Sequence, residues 1–290
     1  VSSANPGEWF NETLYSTYGQ RFKVEKVLFE SKTDEWHLVI FENELYGRVM
    51  ALDGIIQTTE KDEFVYHELM THVPILSHGN ARKVLIIGGG DGGCLREALK
   101  HSSVDQVTMV EIDRGVVDMS IEYFPMISDG AFDNPRTNLV IADGARFVKE
   151  CGEKFDVIAI DSTDPIGPGE VLFTREFYSD CKGLLNPGGV MVNMNAIPFL
   201  DSSSLVKFCG RVKGLFANPG VFVAPVPAYI GGYMTFGWST DDATLRNVPM
   251  QELQSRYAKS AIKTRFLTPE LHAGLFNPPA FIKELLEQNL

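Results

Sequence analysis

VLIIGGGDGG, residues Val84 to Gly93, is the stretch whose reading decides the fold. Four consecutive apolar residues describe a strand buried on both faces, and Gly88, Gly90 and Gly93 follow it in G-x-G-x-x-G spacing. Residues without side chains let the chain turn tightly and approach a ligand, and the helix-like CLREALKH that follows offers unpaired backbone N–H groups. Working outward, VTMVEID, GVVDMSIEYF, NLVIADG, ARFVKEC, FDVIAID and VMVNMNA alternate apolar strands with amphipathic helices. That alternation specifies an α/β fold, a doubly wound Rossmann-like sheet of the methyltransferase type covered on both faces. A late strand is expected over Gly232 to Thr240 and a closing helix over PAFIKELLEQ, with Pro279 in its first turn.

Upstream the texture differs. KVEKVLFE, HLVIFENE and GRVMALDGIIQTT, between Phe22 and Thr59, are short strand-like runs with turn signals at Asp53-Gly54, which predicts a small antiparallel β-domain. Asp62 to Leu76 loses the two-residue alternation and reads as a linking helix ending at Pro74. The expected division is a β-meander unit with its helix over 1–76 and a Rossmann-like catalytic unit over 77–290.

The chain has 290 residues, 44% of them hydrophobic, enough for a substantial core. Its 26 basic and 38 acidic residues give a formal charge of −12, which excludes the basic footprint of a nucleic-acid binder. Such a balance suits small cationic ligands, and equally a protein kept soluble by its charge. Cys94, Cys151, Cys181 and Cys209 form no C-x-x-C pair and have no histidines at metal-ligand spacing, so reduced thiols and no metal are expected. Val1 to Trp9 lack a basic start followed by an apolar run, and no stretch approaches membrane-spanning length. No membrane association and a cytoplasmic location are the expectations.

The strand ends carry the chemistry. Glu111 closes VTMVEID, where doubly wound folds place a carboxylate on ribose hydroxyls. Together with the glycine turn it indicates an adenosine-type ligand. Asp143-Gly144 closes the next strand, and a carboxylate beside a backbone N–H can read an adenine edge; alternatively Asp143 caps the following helix. The fourth strand runs into FDVIAIDSTDPIGPG and delivers Asp161 and Asp164 to a loop stiffened by Pro165 and Pro168. With Asp91 in the glycine turn, three acids would converge on one cleft that can bind a cation or accept a proton. A turn at Asp164 and a helix cap at Asp161 are the plainer alternatives.

GGGDGG, VEID, ADG and DSTDPIGPG, with ALDGIIQTTEKDEFVYHE upstream and PAYIGG downstream, resemble the spermidine synthase family over nearly the whole chain from Trp9 onward. The resemblance implies a polyamine aminopropyltransferase that moves the aminopropyl group of decarboxylated S-adenosylmethionine to putrescine, giving spermidine and 5'-methylthioadenosine. The donor is a co-substrate; no resident cofactor is implied. A homodimer or homotetramer is implied as well. By the same resemblance Asp161 is the proton acceptor, Asp164 binds the diamine and Asp91 holds the aminopropyl end of the donor. Glu111 takes the ribose, Asp143 and Gly144 the adenine, and Gly88 and Gly90 the approach of the nucleoside, with Pro168 at its border. Gln57, Tyr66, His67 and Tyr229 fall where the family lines its pockets. Tyr66 and Tyr229 could instead be core aromatics, and His67 a satisfied structural histidine. Where many members carry a glutamine, this chain has Trp36, whose indole only donates; it either faces the sulfonium or packs under the β-domain.

A diamine at neutral pH is doubly protonated, its groups titrating near about 10, and an ammonium has no lone pair with which to attack carbon. An acid loop that removes one proton and anchors the other end therefore fits this reaction. Rival readings are a methyltransferase using intact S-adenosylmethionine, a more distant NAD-dependent dehydrogenase and a catalytically silent polyamine binder.

Overall fold

The computed structural model describes residues 4–33, 36–162 and 167–290. β1 (Trp9–Asn11) and β2 (Arg21–Lys23) make a two-stranded ribbon. β3 (Lys26–Lys32), β4 (His37–Asn43), β5 (Gly47–Leu52) and β6 (Ile55–Thr59) form the expected antiparallel meander in sequence order. One face of it, with Phe10, Phe22, Val39, Phe41 and Val49, closes a core that also takes in Ala228 from far along the chain. The other face, with Leu38, Ile40 and Met50, packs on Phe124 and Ile127.

α1 (Glu63–His78) follows, then β7 (Lys83–Gly88), α2 (Gly93–Leu99), β8 (Gln106–Glu111), α3 (Arg114–Tyr123) and α4 (Pro125–Ser128). The chain continues through β9 (Thr137–Ile141), α5 (Gly144–Glu150), β10 (Phe155–Asp161), α6 (Arg175–Leu184), β11 (Leu185–Met194) and α7 (Ser202–Val212). It ends with β12 (Gly220–Pro225), β13 (Tyr233–Thr240), α8 (Met250–Ser260), α9 (Pro269–Leu275) and α10 (Ala280–Asn289). Side-chain oxygens cap several of these helices: Asp113 accepts from Gly115 N, Thr174 from Phe177 N, Asp201 from Ser203 N and Thr268 from Leu271 N.

The seven-stranded sheet has the order β12-β13-β11-β10-β7-β8-β9. From β11 to β9 the pairs are parallel, and β13 is antiparallel to both its neighbours. The expected α/β architecture is therefore present as a mixed sheet. Alternate residues of each strand feed two cores: Val84, Ile86, Val157, Ala159, Val190 and Val192 point to one, and Leu85, Ile87, Ile158, Ile160 and Met191 to the other. Because β8 and β9 lie on one side of β7 and β10 and β11 on the other, the chain reverses its winding between β7 and β10. A crevice opens at the carboxyl ends of strands at such a reversal.

Two local expectations are corrected. α1 does not stop at Pro74 but runs through it to His78. Burial of Val73, Pro74, Ile75 and Leu76 against the sheet core outweighs the one backbone hydrogen bond a proline removes. Pro279 sits at the N-cap of α10 rather than in its first turn. The helix expected to link the two units is buried along almost its whole length, and Val65, Tyr66, Leu69, Met70 and Val73 join the core of the seven-stranded sheet. The four cysteines are free thiols. Among the described residues no helix is long and apolar enough to cross a membrane.

Candidate active site

Asp161 ends β10 beside Gly88, which ends β7, so the acid and the glycine turn are hydrogen-bonded neighbours at the winding reversal. Gly89 N donates to the Asp161 carbonyl at 2.8 Å. Gly88 has φ +84°, and a Cβ there would lie 2.1 Å from that same carbonyl oxygen. Only glycine lets the two strand ends close so tightly. The Asp161 carboxylate lies over Gly89, where Oδ1 accepts from the Tyr66 hydroxyl at 2.8 Å.

Tyr66 comes from α1, as does His67. The His67 ring bridges two carboxylates: Nδ1 meets Glu63 at 2.6 Å and Nε2 meets Asp91 at 3.2 Å. Asp91 in turn accepts from Gly93 N at 2.8 Å through Oδ1. The ring occupies the space where a Cβ on Gly93 would stand, 2.1 Å from Nδ1. Thus the last glycine of the motif makes room for a histidine. Gly90 makes room likewise for Val116 and for Glu111, a buried acid at the end of β8.

The electrostatics separate the acids. Burial pushes the Asp161 carboxyl up, and the negative charge of Asp91 adds to it; His67, the Tyr66 hydroxyl and the Cys94 thiol pull back only in part. Burial acts on Asp91 in the same sense, but the His67 imidazolium and the Gly93 N–H more than offset it and hold Asp91 below the usual range. Burial alone would favour a neutral His67 ring, yet Asp91 and Glu63 hold its pKa well above that of an ordinary histidine. Burial also raises Glu111, with the charges of Asp113 and Asp161 contributing.

The adjoining wall is aromatic. Tyr66 packs edge-on to Tyr229 at 6.1 Å between centroids and lies 5.8 Å from Phe236. The Tyr229 hydroxyl donates to the Gln57 carbonyl at 2.6 Å, and the Gln57 side chain donates to Ile55 O at 3.2 Å. Asp62 fastens the same corner, accepting from Thr59 at 2.5 Å and from Ala228 N at 2.6 Å. Tyr66, His67, Asp91, Asp161, Tyr229 and Gln57 are thereby brought together where α1, the meander and the loop after β12 meet the sheet.

Other expected residues stand apart or do something further. Asp143 is exposed and caps α5, accepting from Arg146 N at 3.0 Å. Gly144 packs on Ile87. Trp36 is half-buried against the cluster of Leu38, Ile40, Met50, Phe124 and Ile127. Asp164 and the side chain of Pro168 lie outside the described residues.

Sequence reading missed Glu63, Cys94, Arg96 and Glu97. The i,i+4 spacing of Glu63 and His67 was the available signal for the first. Arg96 grips Glu63 with two nitrogens, at 2.8 and 3.2 Å, and Glu97 at 2.7 Å. Buried Glu97 also meets Lys100 at 2.7 Å and His72 at 2.9 Å. Cys94, His67 and Asp161 place ligand-type atoms within 4.8 Å of one another. Both His67 nitrogens are already engaged by carboxylates, and burial drives the Cys94 thiol well above its ordinary pKa.

A family model described as the spermine/spermidine synthase domain matches residues 63–249. The chain belongs to the spermine/spermidine synthase family. A second model, the spermidine synthase tetramerisation domain, matches residues 8–60. The polyamine aminopropyltransferase of Pseudomonas syringae is 56% identical over 94% of this chain and 96% of that protein. Polyamine aminopropyltransferase 1 of Pseudomonas aeruginosa is 54% identical over 96% and 97%. A spermidine synthase crystallised with the transition-state analogue AdoDATO superposes with a TM-score of 0.90 at 36% identity, covering 99% of this chain and 98% of that one. The Thermotoga maritima spermidine synthase gives 0.87 at 35%, covering 99% and 97%. The family resemblance expected from the sequence is therefore correct, and so is the fold it implied.

Proposed function

We propose that this chain is a polyamine aminopropyltransferase that carries the aminopropyl group of decarboxylated S-adenosylmethionine to putrescine, yielding spermidine and 5'-methylthioadenosine. The single observation that carries this is the placement of Asp91 and Asp161 together at the winding reversal of an adenosine-binding type of sheet, Asp91 paired with His67 and Asp161 accepting from the Tyr66 hydroxyl. The amine nitrogen attacks the methylene carbon next to sulfur, the C–S bond breaks with its electrons going to sulfur, and the proton shed by nitrogen passes to Asp161. A raised carboxyl suits the acceptor, because an ordinary one is too weak a base for an alkylammonium.

Asp91, kept ionised, seats the ammonium of the aminopropyl chain and disfavours a donor that still bears a carboxylate. Like charges in a dehydrated cleft cost several kcal/mol. Glu111 receives the ribose hydroxyls, with Asp143, Gly144 and Pro168 around the adenine, Gly88 and Gly90 beneath the nucleoside, and Trp36 near the donor. Gln57, Tyr66 and Tyr229 line the pocket, and Asp164 holds the remote ammonium of the diamine. The sulfonium is already a good leaving group, so positioning and proton removal are the tasks that remain, and no metal is needed. The match of residues 8–60 to a tetramerisation domain supports a homo-oligomer, a tetramer before a dimer. A cytoplasmic enzyme acting on small soluble amines completes the reading.

Purified protein supplied with decarboxylated S-adenosylmethionine and putrescine should form methylthioadenosine and spermidine in equal amounts, with EDTA present or absent. Reaction with intact S-adenosylmethionine alone, or loss of turnover in EDTA, would overturn it. Competition among putrescine, cadaverine, agmatine and spermidine fixes the acceptor.

A further inference from the structure

We propose that Glu63, clamped by Arg96, is a positioning residue that fixes the His67 ring as the cation paired with Asp91 and not with Asp161, and so decides which of the two acids is free to accept a proton. This deepens the aminopropyl-transfer reading and rests on it for the identity of the acceptor.

The geometry is a buried relay one helix turn long. Glu63 and His67 lie four residues apart on α1, their side chains only 7% and 4% exposed. Glu63 cannot swing away, because Arg96 holds both its oxygens, and Arg96 is itself tied to the Met126 and Ile127 carbonyls and to Glu97. With Nδ1–H directed at Glu63, the ring has one nitrogen left, and the space vacated by the missing Gly93 Cβ lets that nitrogen reach Asp91. The ionisable groups facing His67 are Glu63, Asp91, Cys94 and Asp161, with the Tyr66 ring edge-on at 5.6 Å. Around Glu63 the charged groups are Asp62, His67 and Arg96. None of the cations touches Asp161 directly among the described residues.

Two carboxylates in one dry pocket cannot both stay ionised cheaply; one becomes reluctant to lose its proton. A cation donated to Asp91 settles the contest, leaving Asp91 as a fixed charge and Asp161 as the group that titrates. Remove Glu63 and the ring loses one of the two carboxylates that favour its charge, so it becomes easier to deprotonate. Asp91 and Asp161 then share a proton, and the acceptor is blocked at a pH where it was free.

The test is Glu63→Gln, which keeps shape and removes charge. In protein labelled with 15N-histidine and without substrates, His67 should be doubly protonated at pH 7, and in Glu63→Gln it should lose its proton at lower pH than in the parent. The acid limb of kcat/KM should move upward by about one pH unit, a tenfold loss at the foot of the limb, while donor KM changes less than threefold. In a His67→Gln background, Glu63→Gln should add no further shift, since Glu63 acts only through the ring. A neutral His67 in the unmodified protein at pH 7 would overturn the proposal even if Glu63→Gln failed to fold, and so would a variant with an unmoved His67 titration or acid limb. A protein inactive in aminopropyl transfer would sink the earlier reading, while the His67 titration would still judge Glu63.

Discussion

Replacing Asp161 by Asn isolates proton acceptance from shape. Oδ1 accepts from the Tyr66 hydroxyl at 2.8 Å, and the Asn carbonyl can keep that bond with its amide over Gly89. Neither a cavity nor an orphaned hydroxyl results. What disappears is the base, worth about 10² to 10⁴ in rate, or about 2.7 to 5.4 kcal/mol of transition-state stabilisation. The raised pKa of Asp161 also fixes the sign on stability. A carboxyl that binds its proton more tightly folded than unfolded loses stability as pH climbs from the unfolded pKa through the folded one, so at neutral pH the native acid is a liability. Asp161→Asn should therefore melt no lower than the parent at pH 7 while turning over at least a hundredfold more slowly, as read by chromatography of methylthioadenosine. Its rate should recover as pH rises toward about 10, where free amine appears in solution, and donor affinity by calorimetry should change little. A loss under tenfold, or one matched by weaker donor binding, would refute proton acceptance by Asp161.

Asp91→Asn should narrow the preference for decarboxylated over intact donor, and an unchanged affinity ratio in calorimetry would remove Asp91 from selectivity. Gly93→Ala forces a methyl into the His67 ring, 2.1 Å from Nδ1, and should cost about 1–3 kcal/mol in urea unfolding, together with most activity. Its stability loss should vanish in a His67→Ala background. Glu68, almost fully buried, accepts from the backbone N–H groups of Arg265, Phe266 and Leu267 at 2.6, 3.0 and 2.9 Å. Glu68→Ala should therefore destabilise by about 3 kcal/mol or more, with fast amide exchange at 265–267 as the local sign; protected amides there would contradict it.

The sheet was legible because its strands are buried on both faces and read as unbroken apolar runs, and the meander because its short strand-like runs include a turn marked by Asp53-Gly54. Pro74 misled, since a local rule about one lost hydrogen bond cannot see that a helix is enclosed on all sides. Asp91 and Asp161 were named from motif and position and His67 only through the family resemblance, but their contrast was not legible. It depends on which charges meet after folding, and Glu63, Arg96 and Cys94 meet them only through packing of α1 on α2. The glycines tell the same story. Sequence suggested that Gly93 clears a path for a ligand, whereas the structure fills that space with the His67 ring.

β13 lies between β11 and β12 although it is made after both. Until it arrives, β11 presents Val190, Met191 and Val192 along an unpaired edge, a template for pairing with another chain. β12 and β13 are adjacent in sequence and pair as an antiparallel hairpin, the kind of local contact that forms in about 1–10 μs. The connection between them carries Tyr229 and the Ala228 amide, which reach Gln57 and Asp62 on the other unit. The strand that covers the β11 edge and the aromatic wall of the pocket are thus held by one hairpin. A molecule truncated before Tyr233 would lack β13 and leave the β11 edge open to pairing with another chain.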